Sequence, residues 1–300
     1  MKIAVLYTCF NRKAHTLSSL KSLYASLDHY NNTTKDKIDI TVYLTDDGCT
    51  DGTAEAISTV YPDKDIIILW GNGNLYWAGG MRLAWKAALK RQSEWDFYLL
   101  INDDTDLFED CLEELLKTHL FCLQKQGKSG LYSGATCAKS NHSKTTYGGN
   151  IITNRFLGNS HRISPNGVPQ LVDTSNANIL MVSKSTVDTI GIFYEGYRHG
   201  NADYDYAMSA RSHGIPVYIT GHFCGACEDD HTHGEELKNK IIKMSSTERT
   251  DYFSNPLHSS KDYLTYIRRQ FPLKYPFTWI LRILHEKYPK LYYMLNHGQI

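Results

Sequence analysis

The sequence predicts an α/β fold built on a mostly parallel sheet flanked by helices, and three observations predict it. Over the first hundred residues, short apolar runs alternate with amphipathic helical stretches. Three of the four polar turns that follow those runs are rich in Asp, Asn or Gly. With 42% hydrophobic and 21% charged residues in 300, the chain has the composition of a folded protein with a sizeable core. Strands separated by helices pair in parallel through right-handed crossovers, and such sheets bind ligands beyond the carboxyl ends of their strands.

The first strand is Lys2–Thr8. It is too short to cross a bilayer and runs into Asn11-Arg12 rather than a small-residue cleavage site, so an unsecreted protein is expected. Leu17, Leu20, Leu23 and Leu27 recur at helical spacing after it. Ile38–Leu44, Ile66–Leu69 and Phe97–Ile101 read as further strands, with a helix at Met81–Lys90. From Gly130 to Pro169 the chain turns irregular, and short antiparallel strands are expected there. Ala177–Ser183 reads as a strand, Lys184–Ile190 as a helix closed by Gly191, Asp203–Ser212 as a helix ending near Gly214, and Pro216–Thr220 as a strand. Beyond Glu236 the composition shifts: residues 237–300 hold eleven Lys plus Arg against four Asp plus Glu, a net of +7, together with eleven Tyr, Phe and Trp. The expected division is therefore a main domain over 1–225 and a loop and helical, basic and aromatic extension over 226–300.

Charge and cysteines narrow the function. Thirty-two basic residues balance thirty-two acidic ones, so a nucleic-acid backbone has no global electrostatic reason to bind, and no nucleic-acid ligand is expected. The seven cysteines are odd in number and scattered, which fits reduced thiols in a cytoplasm.

The turns after the strands are where chemistry is expected: Asn11-Arg12, Asp46 to Thr53, Gly71-Asn72-Gly73-Asn74 and Asn102-Asp103-Asp104. Asp, Asn and Gly are also the residues that turns prefer for their own sake. Carboxylates after two separate strands of one sheet, however, gather like charge at one edge, which calls for a cation or hydrogen-bond donors between them.

Five segments together resemble the large inverting glycosyltransferase family 2, with its GT-A fold, and within it the rhamnosyltransferase-like enzymes of bacterial surface polysaccharides. They are Thr8 to Arg12, Thr45 to Thr53, Gly73 to Met81, Leu100 to Asp104, and His199-Gly200-Asn201-Ala202-Asp203-Tyr204-Asp205-Tyr206. The resemblance implies transfer of a sugar from a nucleotide-diphosphate donor to a glycan or lipid-linked glycan hydroxyl. It makes Asp104 the ligand of a divalent cation, Mn or Mg, on the donor's phosphates, with Asp103 toward the ribose or a second metal position. Asn102 stands where the family's fuller form has an acidic residue, leaving one charge fewer for the cation. Asp46 and Asp47 fall where the family recognises a pyrimidine base, implying a UDP or dTDP donor. Thr8, Asn11, Arg12, Asn74 and Trp77 are then expected in the donor pocket. Gly71, Gly73, Gly79 and Gly80 would let backbone approach the donor.

Asp203 is by its place in the fifth segment the base that takes the acceptor's proton, with His199 and Asp205 on the acceptor side. Both acids also suit an ordinary helix N-terminus. Cys224, Cys227, His231 and His233 fall within ten residues. Zinc, a histidine reaching the donor's metal, and solvated loop histidines are all open readings of that run. The basic tail fits either peripheral docking on the inner face of the cell membrane or packing on the main domain. The rival functions are a sugar-nucleotide nucleotidyltransferase, whose basic Gly-rich loop after the first strand is missing, and an inactive nucleotide-sugar-binding protein. The sequence leaves the oligomeric state open.

Overall fold

The structure, a computed structural model, describes residues 1–91, 95–229 and 234–295. The first hundred residues run β1 (Lys2–Cys9), α1 (Lys13–Thr33), β2 (Asp39–Asp46), α2 (Thr53–Val60), β3 (Ile66–Trp70), α3 (Tyr76–Lys90) and β4 (Phe97–Ile101). These four strands are parallel and lie side by side in the order β4, β1, β2, β3. Their carboxyl ends therefore share one edge, which is what brings four distant turns together.

After β4 come β5 (Asp106–Leu107), α4 (Cys111–Gln126), β6 (Leu131–Ala138), β7 (Asn141–Tyr147), β8 (Gly149–Asn154), β9 (Asn159–Arg162), β10 (Gln170–Leu171) and β11 (Thr174–Ser175). β12 (Ile179–Ser183), α5 (Lys184–Ile190), α6 (Ala202–Ser212) and β13 (Val217–Ala226) complete the sheet region. β12 runs antiparallel between β4 and β6, so the amino end of β12 meets the carboxyl end of β4. β8, β9 and β11 form a separate small antiparallel sheet.

The large sheet is apolar on both faces, as a parallel sheet covered by helices must be. Along β1, Ala4 and Leu6 enter one core with α3 and α6, while Ile3, Val5, Tyr7 and Cys9 enter the other with α1 and α4. That alternation is the two-residue period of a strand. The tail consists of α7 (Gly234–Lys243), α8 (Ser246–Ser254), α9 (Lys261–Gln270), α10 (Tyr275–Lys287) and α11 (Pro289–Leu295). It is not uniform: Tyr266, Ile267 and Phe271 join the first core, whereas Ile241, Phe253 and Tyr293 gather in a small core of their own.

Two boundaries differ from the sequence expectation by more than two residues. α3 starts at Tyr76 rather than Met81, because Gly79 and Gly80 interrupt the apolar periodicity of a first turn that tertiary contacts nevertheless hold. β13 continues past Thr220 to Ala226, with shifts of register against β6 near Gly221 and Gly225, where glycine in a strand marks a bulge.

Candidate active site

The turn after β1 is tied to the turn after β2. Asn11 sits at φ +51° and its Oδ1 accepts the Thr50 N–H at 2.7 Å, while Asp51 accepts the Lys13 N–H at 2.9 Å. Asp46 is buried and accepts the Cys49 N–H at 2.6 Å. Asp47, equally buried, accepts three backbone N–H groups: Gly73 at 2.9 Å on Oδ1, and Leu75 at 2.9 Å and Tyr76 at 3.0 Å on Oδ2. One carboxylate thus fixes the whole β3–α3 turn, including the first residue of the helix.

Gly71 and Gly80 are required by protein rather than by open space. A Cβ on Gly71 would lie 2.4 Å from Asp47 Oδ1, and one on Gly80 would lie 2.0 Å from Thr8 Oγ1. Thr8, 7% exposed, is covered there by α3.

At the end of β4, Arg12 reaches across from β1 and pairs with Asp103 at 3.2 Å and Asp104 at 2.8 Å. Burial pushes the Asp103 carboxyl up to about 7, with Arg12 opposing the shift and Asp104 adding to it. Asp104 is more open, and its Oδ1 accepts from the Cys227 thiol at 3.6 Å. Burial, then the Asp104 charge, push that thiol up to about 12, so Cys227 stays a neutral donor. Asn102 accepts the Trp77 indole N–H at 2.7 Å, which gives this neutral amide a structural role at the end of β4.

Asp203 lies in the first turn of α6, after Asn201 at φ +64°. Its oxygens accept the Ala177 N–H at 3.1 Å and the Tyr204 N–H at 2.9 Å. Burial pushes its carboxyl up to about 6, against the pull of those two amides. Asn178, the residue after Ala177, accepts the Asn102 N–H at 3.1 Å on its carbonyl. Short hydrogen-bonded steps therefore join Asp203 to the end of β4.

Residues 4–121 match the sequence model of Glycosyl transferase family 2. They are a family 2 glycosyltransferase domain, and the chain is a glycosyltransferase. No curated protein matches it by sequence. In fold it is similar to the S. aureus protein TarS, residues 1–349, at TM-score 0.54 and 14% identity over 100% of this chain and 92% of that one. It is also similar to the Pyrobaculum calidifontis mannosyltransferase PcManGT in complex with GDP-Man and Mn2+, at TM-score 0.51 and 13% identity over 95% and 75%. TarS 1–349 in complex with UDP-GlcNAc matches at TM-score 0.50 and 13% identity over 91% and 73%. At these identities the likeness is one of fold, the GT-A arrangement of a mostly parallel sheet with a helical carboxyl-terminal region.

The glycosyltransferase draws on more of its chain than the sequence motifs mark. Asp262 on α9, 6% exposed, accepts the consecutive N–H groups of Arg198, His199 and Gly200 at 3.1, 2.7 and 3.0 Å. The Arg198 carbonyl accepts the Ala78 N–H at 3.1 Å at the start of α3, and its guanidinium donates to the Asn74 carbonyl at 3.1 Å and lies 4.9 Å from the Tyr76 ring centre. Asp205 points to the same helix: Arg269 Nε donates to its two oxygens at 2.9 and 3.0 Å, and Gln270 Nε2 at 2.7 Å. α9 thereby clamps both ends of the segment that carries Asp203. Removing residues beyond 236 would remove this clamp with the tail.

Arg269→Ala should destabilise the protein by about 2 kcal/mol in urea denaturation. That is less than the ~3–5 kcal/mol of a fully buried pair, because Arg269 is one-third exposed and Gln270 keeps its bond. An unchanged midpoint would mean that the pair is only a surface contact.

His231 and His233 lie outside the described residues. Among the described residues no three His, Cys, Asp or Glu side chains gather to hold a metal by themselves. Cys224 and Cys227 are both buried free thiols, Cys224 beside Thr220 and Cys227 beside Asp104.

Proposed function

We propose that the glycosyltransferase inverts, moving a sugar from a UDP- or dTDP-sugar to a hydroxyl of a glycan or lipid-linked glycan in bacterial surface-polysaccharide synthesis. The observation that carries this reading is the pairing of two acidic centres: Asp103-Asp104 under Arg12 at the end of β4, and the buried Asp203 a few hydrogen-bonded steps away. In the reaction the acceptor oxygen attacks the anomeric carbon, the bond from that carbon to the diphosphate breaks, and the acceptor's proton passes to Asp203. A carboxyl raised to about 6 is ionised at neutral pH yet basic enough to take that proton as the new bond forms.

The donor end needs positive charge where the diphosphate departs. Arg12 supplies a guanidinium, and its pairing with Asp103 and Asp104 supports reading this place as one where positive charge is held. Asp104 offers hard carboxylate oxygens, which fit Mn or Mg bound mostly by the donor's own phosphates. Such a cation supplies Lewis-acid charge to the leaving diphosphate. Support for a pyrimidine donor is the Asp46-Asp47 resemblance alone. A cytoplasmic enzyme peripheral to the membrane's inner face is the reading that the basic tail supports. Among the described residues no helix is long and apolar enough to cross a membrane.

Thermal-shift screening of nucleotide sugars with and without Mn2+ tests the donor class, because a ligand that binds only the folded state raises Tm. A Tm rise with UDP- or dTDP-sugars that grows with Mn2+ supports the reading. A rise confined to purine nucleotide sugars overturns the base assignment. The pH profile tests the base. Because Asp203 must be deprotonated to act, kcat/KM should fall about tenfold per pH unit below about 6 and level off above it. A flat profile through that range would remove Asp203 from the role.

A further inference from the structure

The β8–β9 hairpin ends in Asn154-Arg155-Phe156-Leu157-Gly158-Asn159, and Phe156 and Leu157 stand 59% and 48% exposed at its tip. The start of α10 lies directly beside it. Lys274 Nζ donates to the Leu157 carbonyl at 2.5 Å, and Gly158 packs against Phe271 and Lys274. Leu273 and Phe277 are 71% and 64% exposed, and Ile280 and Leu281 continue outward on the same stripe at helical spacing. Large side chains from two elements more than a hundred residues apart thus make one uncovered apolar face, the kind that marks an interaction site rather than a random surface.

Its charges are predominantly basic, with Glu286 of α10 paired to Arg282 and Asp229 paired to Arg162 at 3.7 Å. Residues 141–164, which contain the hairpin, hold Lys144, Arg155 and Arg162 and no acidic residue. Lys287 and Lys290 are exposed farther along the same helices. A hairpin tip with an aromatic and an aliphatic side chain next to Arg, set beside an amphipathic helix flanked by Lys, complements a surface that is apolar a few ångströms deep and anionic at its edge.

We propose that Phe156 and Leu157 of the hairpin tip, with Leu273, Phe277, Ile280 and Leu281, form a docking face for an anionic lipid surface. This rests on the peripheral placement read from the tail charge, and extends it to a hairpin in mid-chain. It also gives the docking a direction. β8 pairs with β11, whose next residues lead to Ala177, the donor to Asp203, while α10 follows α9, which holds the loop at 198–200 and Asp205. Both parts of the face are continuous with the elements that hold the acceptor side, so docking presents that side to acceptors carried by the lipid.

Co-sedimentation with vesicles of phosphatidylglycerol and phosphatidylcholine, against pure phosphatidylcholine, tests the face. It uses the full chain and two double variants, Phe156→Ser with Leu157→Ser, and Phe277→Ser with Ile280→Ser. Wild type should pellet with the anionic vesicles and be released by salt, and each double variant should lower the bound fraction by about fivefold or more with Tm unchanged. No binding by wild type overturns the proposal. Loss with the α10 pair but not the hairpin pair overturns the composite face and leaves a tail-only contact. Sedimentation velocity showing a dimer that the variants dissolve, without vesicle binding, assigns the face to a second copy instead. None of these arms uses a nucleotide sugar, so a failed donor assignment and a failed docking face are separable.

Discussion

Asp203→Asn should lower turnover by about two to four orders of magnitude, the usual worth of a positioned general base, while donor affinity stays unchanged. Asn keeps the size of Asp and an oxygen for the Ala177 and Tyr204 amides, so the turn into α6 should hold. What it loses is the capacity to accept a proton at a site where burial has already raised the carboxyl to about 6. The check is calorimetric donor binding beside initial rates of nucleotide release. Normal turnover would move the role elsewhere. Asp205 is a poor substitute because Arg269 and Gln270 occupy its oxygens, and Glu195 is exposed and paired with Lys86 at 2.6 Å. Lost donor binding would place the fifth segment in the nucleotide pocket.

Asp104→Ala should cost about two to three orders of magnitude in turnover and remove the Mn2+-dependent part of nucleotide binding, in line with losing one group aimed at developing charge. The fold should survive, because Asp104 is partly exposed and its partner Cys227 is a neutral thiol that tolerates losing an acceptor. Arg12 would keep its pair with Asp103, and since the Asp104 charge helps raise the Asp103 carboxyl, that carboxyl should titrate lower in the variant. Near-normal activity would mean that the cation, if one is used, is held without this residue.

The gathering of the turns proposed as the donor side was legible in the sequence because they follow strands, and strand ends of a parallel sheet share an edge whatever lies between them. The motifs at Asn11, Asp46, Asn74 and Asp104 needed no long-range information to be placed together. Asp262 and Arg269 did. Sixty-odd residues separate them from the segment they clamp, and locally Asp262 looks like an ordinary acid in a first helical turn and Arg268-Arg269 like a solvated basic pair. Glycines were legible as close approaches but not what they approach: Gly80 meets Thr8 and Gly71 meets Asp47, partners fixed only when α3 lies on the sheet. Cys227, in sequence a small hydrophobe or half of a zinc pair, donates to Asp104, a contact that depends on β13 running six residues past Thr220.

The initial rate of nucleoside-diphosphate release from a nucleotide sugar, with Mn2+ present, tests the account most directly. It compares wild type with Asp104→Ala and Asp203→Asn, and water stands in for the acceptor where none is known. The account predicts release of UDP or dTDP by wild type and near-complete loss in both variants. Release by both variants at the wild-type rate would contradict it.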